Sequence, residues 1–145
     1  MSLELNTNYL ISCVDDKGTN YYLTAGQDLA EASLETLQNN CAGGSCPDQI
    51  WEIKTSLEAG NLKSASGVYL DANYEENTTP ICTSNENSGY TLAFGGHEGD
   101  ATIKNNNDIY LDGTNKVAPK GKGNSQTWKF TKTTIGTKPM LADPK

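Results

Sequence analysis

One pattern returns along this chain about every forty residues, and it constrains the fold more than any other feature. Its clearest copy starts at Ile109-Tyr110-Leu111, a short apolar strand followed by Asp112 and a turn, and ends in Gln126-Thr127-Trp128. An earlier copy runs from Tyr22-Leu23-Thr24 to Gln49-Ile50-Trp51. Between them, Tyr69-Leu70-Asp71 leads to Tyr90-Thr91-Leu92, where Leu92 takes the place of a Trp. The strand leucines 23, 70 and 111 are spaced by 47 and 41 residues, and the closing anchors 51, 92 and 128 by 41 and 36. A unit repeated at this period cannot bury its apolar face alone, so neighbouring copies must share one core.

Each copy divides into short apolar stretches separated by Gly, Asn and Asp, the spacing expected of an all-β barrel or sandwich. The first predicts strands over 9–13, 21–25, 34–37 and 49–55, with Asp15-Asp16-Lys17-Gly18 as a hairpin turn. The second predicts strands over 62–65, 68–72, 81–84 and 90–94. The third predicts 101–104, 109–112, 116–118 and 126–133. Residues 27–37 have helical propensity, but the other copies leave no room for a helix, so a loop and a short strand are expected there. The chain of 145 residues reads as one domain, with repeats over 3–56, 57–97 and 98–134. The stretch 135–145, with Gly136, Pro139 and Pro144, reads as a mobile end.

Charge narrows the function classes. All 11 basic residues are Lys, against 18 acids, for a net charge of −7. Nucleic acid is an unsuitable partner, because phosphate binding rests on clustered cations and usually on Arg. Residues 1–94 carry three Lys against 13 acids, whereas 95–145 carry eight Lys against five. The start, Met1 to Asn6, has no basic region and no apolar run, and no stretch is long enough to span a bilayer. The expectation is a cytoplasmic protein, or one exported without a classical signal, with no membrane insertion. On that expectation the sequon Asn77-Thr78-Thr79 goes unused, and the four cysteines are free thiols rather than a scaffold. Cys41 and Cys46 face each other across Gly43-Gly44, close enough for a disulfide, while Cys13 and Cys82 fall in expected strands.

Threefold copies of this length, closing in Gln-x-Trp or an apolar substitute, resemble the β-trefoil fold. Gln49-Ile50-Trp51 and Gln126-Thr127-Trp128 match the Gln-x-Trp of ricin B-type lectins. That family's third repeat also carries Asp after the strand Leu and Asn shortly before the Gln, as Asp112 and Asn124 stand here. The opening Tyr9-Leu10-Ile11 strand and the size are similar to small fungal fruiting-body trefoils, which include lectins and mycocypin-type protease inhibitors. The resemblance implies three pseudo-repeats of four strands, with Trp51, Leu92 and Trp128 filling the barrel axis. It also implies a carbohydrate-binding protein without catalysis, in which an Asp accepts from two sugar hydroxyls and an aromatic ring packs on the sugar's apolar face. Carried over residue by residue, the expected carbohydrate contacts are Asp112, Asn115, Asn124 and Gln126 in the third repeat, and Asp71, Asn73 and Tyr74 in the second. No repeat holds the full set: the third lacks the aromatic and the first has Thr24 in place of the Asp.

The loop Gly95-Gly96-His97-Glu98-Gly99-Asp100 holds the only His beside two carboxylates, and Gly96, His97 and Glu98 are a secondary candidate for ligand binding. One His with adjacent acids is too few ligands for zinc, so no metal or other cofactor is expected. Nucleophilic catalysis would need a base placed near a thiol or hydroxyl, and no such spacing is present, so no enzyme is expected. The second function class implied by the resemblance is inhibition of a serine or cysteine protease through an exposed loop, 39–48 or 118–123. The expected partners are therefore glycans or glycoproteins, with a protease as the alternative and a homodimer left open.

Overall fold

In the first strand, β1 (Tyr9–Val14), Tyr9, Leu10, Ile11 and Ser12 are all buried, and three other strands pair with it. A computed structural model describes residues 1–38, 46–86, 90–114, 118–124 and 126–133. It is all-β apart from one 3-10 turn at Pro47–Gln49. After β1 come β2 (Asn20–Thr24), β3 (Ser33–Glu35), β4 (Trp51–Lys54), β5 (Asn61–Ser64), β6 (Tyr69–Leu70) and β7 (Cys82–Thr83). Then follow β8 (Leu92–His97), β9 (Asp100–Asn105), β10 (Tyr110–Asp112), β11 (Lys120–Lys122) and β12 (Lys129–Lys132).

Antiparallel pairing runs from β1 to β4 and from β4 to β5. Gly60 and Leu92 exchange backbone hydrogen bonds at 2.8 and 2.9 Å, joining the start of β5 to β8. β8 pairs β9, and Ala101 of β9 exchanges bonds with Trp128 at 2.8 and 2.7 Å. β12 returns to β1, so the pairing makes a full circuit through six strands. Two of these links, Gly60 with Leu92 and Ala101 with Trp128, are single bridges that join an eight-stranded and a four-stranded sheet. The other strands form hairpins, β2 with β3, β6 with β7 and β10 with β11. Bridges Glu31↔Ile81 and Glu76↔Gly121 stitch one hairpin region to the next.

Inside the circuit, Leu23, Leu70, Leu111, Trp51, Leu92 and Trp128 all lie in one buried cluster. Tyr9, Phe94 and Phe130 extend it, with Phe130 edge-on to both other rings. The Trp51 indole donates to the Leu23 carbonyl at 2.9 Å, and the Trp128 indole to that of Leu111 at 2.9 Å. Each closing Trp is thus fastened to the strand Leu of its own copy, and Leu92 lies in the same buried cluster.

Two strand boundaries differ from expectation. Strand β11 lies at Lys120–Lys122, where Leu111 pairs with Gly121; of the expected 116–118, residues 116 and 117 lie outside the described residues and Ala118 is not in a strand. A side chain at Gly121 would collide with the Glu75 carbonyl, its Cβ falling 2.2 Å from that oxygen, so only Gly fits under the neighbouring loop. The segment ahead of Trp51 is the 3-10 turn rather than strand. Residues 27–30 contain no helix, and β3 follows, as the repeat spacing predicts. The chain from 134 on lies outside the described residues, as does Cys41; Cys46 is buried and disulfide-bonded, contrary to the expectation of four free thiols, whereas Cys13 and Cys82 are free.

Candidate functional site

Closing β12 against β1 brings the end of the third copy beside the first hairpin. The result is a cavity of about 340 Å³ whose lining includes Asp112, Thr114, Gln126 and Lys129, with Cys13 and Val14 from β1. Asp112 ends β10 and is buried. One of its carboxylate oxygens accepts from the Thr114 backbone N–H at 3.0 Å, and the other from the Thr114 hydroxyl at 2.9 Å. Lys122 brings its ammonium to 3.7 Å across the β10–β11 hairpin. The carboxylate is therefore held in one orientation, with a cation beside it. Gly113 makes the turn possible: a Cβ there would fall 2.7 Å from both Cys13 Sγ and the Trp128 ring.

Gln126 is half-buried and lines the same cavity as Asp112. Its counterpart Gln49 is fully buried and fully used, donating to Thr24 Oγ1 at 3.1 Å and the Thr36 carbonyl at 3.0 Å, and accepting from the Gln38 N–H at 3.0 Å. The first Gln-x-Trp thus has an internal role, whereas the third leaves its Gln at a cavity wall. Asn124 is exposed and does not line this cavity, and Asn115 lies outside the described residues.

In the second copy, Asp71 accepts from the Asn73 N–H at 2.9 Å, the same turn closure that Asp112 makes with Thr114. Asn73 is exposed beside it. Tyr74, expected to stack on a ligand, is buried instead, and its hydroxyl donates to the Ile109 carbonyl at 3.0 Å. Burial in that apolar setting pushes the phenol above its ordinary pKa, and no ring face is left for a sugar. The loop that holds it is tied down by Asn105, whose amide donates to the Ala72 and Tyr74 carbonyls at 3.1 and 2.8 Å.

The segment around His97 is a hairpin rather than a loose loop. His97 pairs with Asp100 at the end of β8 and β9, and Gly96 takes φ +84. His97 and Gly96 are exposed. Glu98 turns inward, accepting from the Tyr9 hydroxyl at 2.7 Å, with the Lys132 ammonium at 3.7 Å. None of these three residues lines the Asp112 cavity. Among the described residues, no three His, Cys, Asp or Glu side chains gather as a metal site.

The inhibitory loop expected at 118–123 contains β11, paired along its length with β10, and Pro119 is buried. That stretch is not a free strap for a protease cleft. Of the other loop, 39–45 lies outside the described residues, and Pro47–Gln49 is the 3-10 turn.

Cys13, Val14 and Asn20, which also line the Asp112 cavity, were invisible to a motif search because they belong to the first copy. Only the β1–β12 closure brings them there. Cys13 Sγ lies 3.4 Å from the Gly113 carbonyl, and burial, reinforced by the Asp112 and Asp15 charges, pushes its thiol up to about 11. It is protonated near neutrality and serves as an apolar wall.

No family model matches the chain, and no curated protein matches it. Among solved structures, it is similar to the GlcNAcα1-4Gal-releasing endo-β-galactosidase of Clostridium perfringens, with a TM-score of 0.64 and 12% identity. The match covers 88% of this chain and 33% of that one, so the chain corresponds to a third of the enzyme's length. At this identity the likeness speaks to the all-β fold.

Proposed function

We propose that this chain is a non-catalytic β-trefoil that binds glycans or glycoproteins through the cavity at Asp112. The six-strand circuit, the three hairpins and the matched Trp51–Leu23 and Trp128–Leu111 bonds support the trefoil reading. The observation that carries the function is the meeting of Asp112 and Gln126, 14 residues apart in sequence, on one cavity. A fixed carboxylate accepts from sugar hydroxyls, and an amide both donates and accepts. Thr114 and Lys129 add further polar groups, and Val14 and Cys13 offer an apolar wall to a sugar's C–H face. The second copy, with Asp71 and Asn73, is a lesser site, since Tyr74 contributes to the core. That a similar structure is an enzyme acting on a galactoside-containing glycan lends this reading weak support.

A glycan array probed with labelled wild type and with Asp112→Asn tests the proposal. The expected result is a related set of bound glycans whose signals fall away in the variant. An array silent for wild type, or equal for both proteins, would sink it.

A further inference from the structure

The outward positions of the barrel hairpins line up by their pairing. After the anchors Trp51, Leu92 and Trp128, the next residue is Glu52, Ala93 or Lys129, and two further on stands Lys54, Gly95 or Thr131. These sit opposite Lys63 and Asn61, Lys104 and Thr102, and Ser12 and Leu10. Around β4, the two positions are filled by a Glu52–Lys54 ion pair at 3.0 Å. On β8 they shrink to a methyl group and a hydrogen. The space this leaves is a second cavity, about 290 Å³, bounded by Leu57, Glu58, Tyr110, Thr102 and Lys104, with Ala93 and Gly95 as its floor.

We infer that this groove over β8 and β9 is a separate saccharide site that takes a single pyranose ring. The proposal shares only its ligand class with the Asp112 reading and uses none of the same residues. Its size lies at the lower end for small-molecule sites, enough for one ring and not a chain. The floor carries only the Ala93 methyl and the Gly95 backbone, which leave room for one face of a pyranose. Its rim offers a carboxylate acceptor in Glu58, an ammonium donor in Lys104 and a hydroxyl in Thr102, a complement to ring hydroxyls.

The groups are also held in advance. Lys104 is placed by Asp108 at 3.3 Å and lies 5.6 Å from the Tyr110 ring centre. The loop carrying Glu58 is fixed to β8, since Phe94 N–H donates to the Leu57 carbonyl at 2.7 Å and Ala59 N–H to Ser56 Oγ at 3.0 Å. Prior fixing of this kind lowers the ordering cost of binding.

The test is an amide chemical-shift titration of the ¹⁵N-labelled protein with a panel of methyl pyranosides, run on wild type, Gly95→Val, Glu58→Gln and Asp112→Asn. Valine refills the groove; a Cβ at Gly95 comes close only to Thr102 Oγ1, at 3.0 Å, a side-chain hydroxyl that has to give way slightly. Glu58 is exposed, so its replacement leaves the fold intact. At least one glycoside should shift the Ala93, Gly95 and Thr102 amides of wild type. That response should vanish in Gly95→Val, weaken about tenfold in Glu58→Gln and persist in Asp112→Asn. No movement of these amides with any glycoside, or movement undiminished in Gly95→Val, overturns the site. Absence of any response around Asp112 and Thr114 in wild type, with the groove response present, would count against the Asp112 reading and leave this one standing.

Discussion

Trp128 lies in the core with its indole N–H bonded at 2.9 Å to the carbonyl of Leu111, the residue just before the Asp112 that lines the candidate site. The closing Trp therefore sets the position of the strand end that carries the carboxylate. In Trp128→Phe, a buried carbonyl loses its partner, and stability should fall by about 1–3 kcal/mol. Trp128→Ala also opens a cavity and should cost about 3–5 kcal/mol. Urea unfolding of both variants checks the order; since both lose the hydrogen bond, equal losses would mean that the ring volume kept by Phe contributes nothing.

Gly121 should tolerate no side chain. Alanine there would drive its Cβ into the Glu75 carbonyl, which lies on another backbone segment and cannot swing away. The segments are bonded to each other, Asn77 N–H donating to Gly121 O and Gly121 N–H to Thr78 O, each at 2.9 Å. Gly121→Ala should therefore destabilise by about 1–3 kcal/mol, comparable to other overpacked sites. Gly67→Ala meets open space but keeps φ +103, so its cost should be that of backbone strain, about 1 kcal/mol. Thermal unfolding of the pair separates collision from strain, and a Gly121→Ala midpoint at or above that of Gly67→Ala would refute the close contact.

Acid stability should depend on Lys132. Its ammonium meets Glu4 at 3.0 Å and Glu98 at 3.7 Å, joining the N-terminal segment to the β8–β9 turn. The Lys132 hydrogen bond and charge hold the Glu4 carboxyl below its ordinary value. A depressed carboxyl adds stability above its unfolded pKa, and that contribution is lost as pH falls through the folded value. Both Lys132 and the Tyr9 phenol are shifted upward, Lys132 by Glu4 and Tyr9 by burial, so each favours the fold less as pH rises past its unfolded value. Lys132→Met should flatten the acid limb of stability against pH between about 5 and 3. An unchanged acid limb would show that the pair contributes nothing there, as many exposed ion pairs do.

Cys13 should be slow to alkylate at pH 8, because its thiol titrates near 11. A raised thiol pKa also makes the fold less stable as pH climbs from the unfolded value of 9 towards 11, where the unfolded chain ionises first. Occupancy of the neighbouring cavity should slow the reaction further, since Cys13 lines it. Iodoacetamide labelling followed by mass spectrometry measures both effects. Fast labelling at pH 8 would contradict the buried, protonated thiol.

The sequence was most informative where copies repeat. Leu23, Leu70, Leu111, Trp51, Leu92 and Trp128 were all read as core from their spacing, and all are buried. Elements that depend on contact between copies were hidden. Tyr74 looked like an exposed turn residue, yet the Asn105 amide draws its loop over the third copy and buries the ring. Pro119 and two glycines made 118–123 read as a loop, although Gly121 is required there for a strand to pass beneath Glu75. Asp112 and Gln126 were legible as candidates because they follow and close the motif. Cys13 and Val14 were not, since their place in the cavity follows from the pairing of the first strand with the last.

The most direct test of the account is calorimetric titration of the best-bound array glycan into wild type and Asp112→Asn. Asparagine can still accept the Thr114 N–H, so the turn should survive while the charge is lost. The account predicts an affinity at least about tenfold weaker in the variant, with an unchanged unfolding midpoint. Equal affinity in the two proteins would contradict it and remove Asp112 from any role in glycan recognition.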